Sequence, residues 1–162
     1  MLNKCLQFIL IIFGILFFSS CMVDIEVDKG TFEKERSLWN SKNIRNYQFT
    51  YNFFNDAGPV GPIKVTIKEN EEPIIEKPER TDSYIFKNIS EVYDFINETF
   101  DYIENVKNGK YNGSKIKSLT LKIDYDSVYH YPKKVNFSVG YFEAVDGGGY
   151  YTLEITEFEE IK

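Results

Sequence analysis

Few residues in this sequence are of a type that does chemistry, and most of them stand apart. His130 is the only histidine among 162 residues. A hydrolytic triad would have to use it as the base, and no Gly-x-Ser-x-Gly nucleophile run accompanies it. It sits beside Tyr129, Tyr131 and Pro132, in a stretch that reads as a turn. The thiols are Cys5 and Cys21, and one histidine with so few thiols makes no zinc set. Asp124-Tyr125-Asp126 begins like a calcium loop, but the glycine and the distal glutamate of that loop are missing. Asp146-Gly147-Gly148-Gly149 would let backbone N–H groups approach a ligand. No Lys-Ser/Thr pair follows it and a strand pattern comes next, so it is not a phosphate loop. Phe142 and Tyr150 flank that run. Aromatic faces beside a glycine hairpin suit stacking on a sugar or gripping a protein loop, with a plain mobile hairpin tip as the alternative. No enzyme, no cofactor and no metal is expected from these residues.

Cys21 differs, because its neighbours give it a reaction. Lys4 precedes an apolar stretch from Leu6 to Phe18, and Ser19 and Ser20 follow. A basic start, an apolar core and small residues before a cut are the order of a secretory signal. The apolar run is shorter than the ~20 residues that a spanning helix needs. Phe18-Ser19-Ser20-Cys21 resembles the lipobox of bacterial lipoproteins, with Phe18 where leucine is usual. The resemblance implies cleavage before Cys21 and a lipid on it. The expected organisation is residues 1–20 as signal peptide, 21–30 as lipidated tether and 31–162 as one domain. The expected place is the bacterial cell envelope, anchored to membrane through Cys21. Loss of Cys5 with the signal would leave the domain without a disulfide, so its core must stabilise it alone.

Bulk properties narrow the partners. The formal net charge of −6 argues against nucleic acid, whose phosphates need basic patches. Hydrophobic residues at 43% with 27% charged residues are the balance of a globular domain. Aromatic residues at 17% lean the domain towards sheet.

The elements that would position these residues follow from periodicity. Met22 to Gly30 is acidic and reads as a tether able to reach about 30 Å. The alternation of Val23, Ile25 and Val27 reads alternatively as an extra edge strand. Thr31 is the expected cap of a helix whose stripe is Phe32, Glu35, Leu38 and Trp39. Tyr47, Phe49, Tyr51 and Phe53 alternate with polar residues, which predicts a strand with one wet face. A turn at 55–59 leads to a strand at 63–68, and a short third strand is expected near Ile74 and Ile75 between Pro73 and Pro78. Asn88-Ile89-Ser90-Glu91 is a capping-box pattern before a helix with Val92, Tyr93, Ile96, Phe100 and Ile103 on one face. Asn108-Gly109 is its stop signal. Three strands follow, over 119–125, 135–141 and 151–156, joined by hairpins at 126–133 and 143–149. The fold class expected is α+β: a single antiparallel sheet of five to six strands with two helices packed on one face.

With these elements placed, the chain resembles a bacterial family of secreted and lipoprotein domains of unknown function. The resemblance rests on Trp39, Tyr47-x-Phe49-x-Tyr51, Gly61-Pro62-Ile63-x-Val65-x-Ile67 and Tyr125-Asp126…Tyr131-Pro132. It covers roughly residues 35 to 158. His130 stands where the family has a glycine, and Phe53, Phe54 and Asn55 replace the Cys-x-Cys pair that many members carry. If the position needs a positive φ, His130 tolerates it at a cost. The resemblance implies fold and export, and no activity.

The functional expectation is a non-enzymatic, lipid-anchored envelope domain that binds a macromolecule, such as another envelope protein. Binding of a glycan or small ligand through the aromatic hairpins is the alternative. Phe142, Gly147, Gly148, Gly149, Tyr150, His130 and Tyr131 are the expected contact residues.

Overall fold

A computed structural model describes residues 23–79, 85–110, 115–143 and 149–161. Among them are seven strands and two helices. In chain order these are β1 (Asp24–Glu26), α1 (Lys29–Lys42), β2 (Tyr47–Asn55), β3 (Gly58–Ile67), β4 (Ile74–Glu76), α2 (Ile89–Lys107), β5 (Ile116–Tyr125), β6 (Pro132–Tyr141) and β7 (Tyr150–Glu160). The strands form one sheet in the order β1-β5-β6-β7-β2-β3-β4. No helix among the described residues is long and apolar enough to cross a membrane.

This corrects the expected antiparallel sheet of five to six strands. The sheet has seven strands and is mixed, because β1 pairs parallel to β5, with Asp24 opposite Ser118 and Glu26 opposite Thr120. Alternation marks a strand but does not name its partner. A three-residue strand that pairs with a segment about a hundred residues away leaves no local trace of direction. Val23, Ile25 and Val27 pack their partly buried side chains against the core. Most of the stretch expected to be tether is therefore part of the folded domain.

Each helix begins and ends on side chains or turns that satisfy free backbone groups. Asp28, not Thr31, caps α1 by accepting the Thr31 N–H at 2.9 Å. Asn43 ends α1 in the left-handed region, at φ 49°. Asn88 caps α2 by accepting the Glu91 N–H at 2.9 Å, and Glu91 returns to accept the Lys87 N–H at 2.7 Å. At its other end the Gly109 and Lys110 N–H groups bond Val106 and Asn105 carbonyls, both at 3.0 Å, with Gly109 at φ 68°.

The core lies between the helices and one face of the sheet. Tyr47, Phe49, Tyr51 and Phe53 of β2 are buried, as are Leu153 and Ile155 of β7 and the apolar stripe of α2. Trp39 of α1 meets Tyr47 and Phe158 edge-on, at 5.6 and 5.9 Å between ring centres. The other face is polar and paired across strands. Gln48 donates to Glu159 at 2.7 Å, and Thr152 donates to Asn136 at 3.1 Å.

One bulge explains why Phe158 packs against the core within a run of exposed glutamates. Thr50 faces Glu157 but Tyr51 faces Ile155, so β7 carries an extra residue between them. The alternation flips there, which turns Phe158 inward while Glu157 and Glu159 point out.

Two tyrosines on β2 tie the sheet to the entry of α2. The Tyr51 hydroxyl accepts the Phe86 N–H at 2.9 Å, and the Tyr47 hydroxyl accepts the Ile89 N–H at 3.2 Å. Burial pushes the Tyr51 phenol up from 10.0 to about 12. The unfolded chain therefore loses this proton first. The stability that depends on it is complete below about pH 10 and falls as pH rises towards 12. Two outcomes are expected in urea titrations. The midpoint falls between about pH 10 and about pH 12. Tyr51→Phe costs about 1–3 kcal/mol at neutral pH, because it orphans a buried N–H, and it shrinks the alkaline loss.

Candidate functional site

The expected contact residues divide between the two ends of the sheet. Cys21, Gly147 and Gly148 lie outside the described residues. Phe142, Gly149 and Tyr150 stand where β6 ends and β7 begins. His130 and Tyr131 stand at the opposite end, where β5 turns into β6. One site cannot use both groups.

The His130 end is a structural latch. Asp126 shapes the turn: its side chain accepts the Val128 and Tyr129 N–H groups at 2.9 and 2.7 Å, and its carbonyl accepts the His130 N–H at 3.0 Å. His130 lies in the left-handed region at φ 67°, the conformation that a glycine would adopt freely. Its Nδ1 is 2.8 Å from Oε2 of Glu35 on α1, with both side chains mostly buried. The Tyr93 hydroxyl of α2 donates to the His130 carbonyl. So one residue ties the turn to both helices. Tyr131 is buried and stacks on Phe158 at 4.7 Å, so it offers no exposed face. The Tyr125 hydroxyl is buried with no hydrogen-bond partner among the described residues, and burial raises its pKa well above the ordinary phenol value. No serine or cysteine hydrogen-bonds the His130 ring among the described residues.

The Phe142 end is more open and apolar. A cleft of about 310 Å³ opens there between α2 and the ends of β2, β6 and β7. Its walls include the rings of Phe53, Phe95, Tyr102, Phe137 and Tyr151. Phe95 and Tyr151 lie 4.9 Å apart, and Tyr102 meets Phe137 edge-on at 6.1 Å. Thr99 and Tyr151 share a hydroxyl–hydroxyl hydrogen bond of 2.8 Å in the wall, so these polar atoms are already satisfied. Asn55 turns its side chain onto the Ala57 N–H at 3.0 Å. Asp56 and Glu98 are exposed on the rim, and neither makes an ion pair among the described residues. Gly149 and Tyr150 also line the cleft, and the Gly149 carbonyl accepts the Val139 N–H at 2.9 Å. Phe142 does not line it.

The expected hairpin therefore contributes an edge of the site, while helix and strand residues build the rest. Phe95, Glu98 and Tyr102 were legible as positions three and four apart on α2, beside the main stripe. That second, partly apolar shoulder is the signal of a helix side that faces neither the core nor open water. Phe53 and Phe137 carry no such mark, because a cleft-facing ring and a core ring share the same strand parity.

The latch makes a stability prediction. His130→Ala loses the Glu35 contact and keeps the left-handed strain, whereas His130→Gly loses the contact and relieves the strain. The glycine variant should be more stable than the alanine variant by about 1 kcal/mol in urea unfolding. Equal stabilities would mean that the turn relaxes when the imidazole is gone.

Comparison with known proteins adds the family but not the chemistry. No curated protein and no solved structure matches this chain. A family model matches residues 31–158, which takes in α2, all but the first two residues of α1, the cleft and the latch. The chain belongs to DUF6174, a family of unknown function.

Proposed function

We propose that this protein is a non-enzymatic, lipid-anchored binding domain of the bacterial cell envelope, and that it binds through the cleft at the Phe142 end. The cleft carries the proposal. Aromatic walls with the carboxylates of Asp56 and Glu98 on the rim suit a ring-bearing group: the rings stack on its apolar face and the rim takes its hydroxyls. An envelope glycan has that chemistry. Strand addition by a partner protein is less favoured, because β1 and β4, the strands at the two sheet edges, each offer three residues. Binding without catalysis is favoured by His130, the one histidine, whose Nδ1 is engaged by Glu35 in the latch. Export and anchoring rest on the sequence from Lys4 to Cys21.

Two experiments test the two halves. Envelope glycan fragments are titrated into the full chain and followed by NMR. Tyr102→Ala should weaken binding about tenfold, the loss of one stacking contact, while His130→Gly leaves it unchanged. Unchanged affinity in Tyr102→Ala would remove the cleft from the proposal. For the anchor, Cys21→Ser should change the intact mass and release the chain from the membrane fraction. A variant that stays there at unchanged processing sinks the lipid anchor.

A further inference from the structure

Five large apolar side chains are exposed among the described residues, and three of them share one end of the sheet. Phe142 follows the last residue of β6, Tyr150 begins β7, and Phe54 is next to last in β2. These strands are neighbours in the order β6-β7-β2, so the rings stand across adjoining strand ends spanning about 10 Å. Phe142 is 50% exposed, Phe54 43% and Tyr150 40%. The rings of Phe54 and Tyr150 lie 5.8 Å apart. Burial in the domain does not explain these residues.

Two lysines adjoin them. Lys115 precedes β5 and its carbonyl accepts the Phe142 N–H at 3.0 Å. Lys117 is the second residue of β5, whose first residue is paired with Tyr141. Both side chains are exposed and neither has an ion pair among the described residues. Asp24 and Glu143 share this corner without engaging them.

The chain also enters the domain here. β1 runs parallel to β5 and lies beside it, so its first residue, Asp24, is at the same end as Lys117. Val23 is the first described residue, and Cys21 is only three residues before Asp24. Three residues reach about 10 Å at most. A lipid on Cys21 would therefore hold this end against the bilayer, where the expected tether would have allowed about 30 Å.

We infer that the Phe142 end of the sheet is a bilayer-docking face. Phe142, Tyr150 and Phe54 enter the boundary between headgroups and acyl chains, where aromatic rings concentrate. Lys115 and Lys117 meet anionic headgroups. The net charge of −6 repels the rest of the domain from the same surface, which orients it on this end. The docking face rests on the lipid anchor proposed above, because the short link from Cys21 brings it to the membrane.

Tryptophan quenching tests the face. The full chain carrying Phe142→Trp is purified from bacterial membranes, weighed intact and reconstituted into phosphatidylethanolamine–phosphatidylglycerol vesicles containing acyl-brominated lipid. Trp39, the native tryptophan, is 6% exposed and packs at the opposite end, so the unsubstituted chain is the control. The expected result is loss of most of the emission of the introduced tryptophan and none of the Trp39 emission. Lys115→Glu with Lys117→Glu should reduce that loss in these vesicles and have less effect when phosphatidylglycerol is omitted. A lipid-modified chain whose introduced tryptophan is not quenched overturns the docking face and leaves the anchor standing. Unquenched, blue-shifted emission from the introduced tryptophan would mean that protein covers the end instead, and it overturns the proposal equally. A mass without lipid overturns the anchor, and the docking face with it.

Discussion

The structure depends on the burial of one row of rings on β2. Tyr47, Phe49, Tyr51 and Phe53 share a strand that sits inside the sheet, paired to β7 on one side and β3 on the other. Four adjacent aromatic side chains make a wide apolar surface that only a covering helix can remove from water. The α2 stripe is that cover. The phenols make the contact specific, because Tyr47 and Tyr51 accept N–H groups at and just before the start of α2. A phenylalanine in either place would bury the same area and leave an N–H unpaired. The helix is thus held in register by hydroxyls and in place by area.

That constraint shapes both ends of the domain. At the His130 end the Tyr93 hydroxyl of α2 reaches the turn, and Trp39 and Tyr131 pack on Phe158. The left-handed turn residue and its Glu35 partner lock the hairpin against α1. At the Phe142 end the rings of Phe95 and Tyr102 lie beside the main stripe, and the space between helix and strand ends stays open as a cleft. One end is stapled and the other stays open. The short strand β1 adds a further bias, since it brings the chain in at the open end.

The surfaces of the domain differ in how far their groups are already engaged. Its polar sheet face is occupied by cross-strand pairs such as Gln48–Glu159 and Thr152–Asn136. Its edge strands are short. The aromatic cleft and the rim of exposed rings lie at the end of the sheet where β1 begins.

Local pattern was enough for much of this. The two helices, most of the strands and the cap at Asn88 are written in periods of 3.6 and 2 and in capping residues, because these depend on neighbours in sequence. The positive φ at His130 was legible by resemblance, since a family glycine marks a conformation rather than a side chain. The resemblance of Phe18-Ser19-Ser20-Cys21 to a lipobox is likewise a property of sequence alone. Tertiary structure decided the rest. The parallel pairing of β1 with β5, the inward turn of Phe158 past a bulge and the Glu35–His130 contact join residues about a hundred apart in the first and last cases and across strands in the second. Periodicity names the face of an element but not what lies opposite it. For the same reason the strand rings of the cleft, Phe53 and Phe137, could not be told from core rings, because an aromatic residue at a buried parity looks alike whether it meets another side chain or an opening.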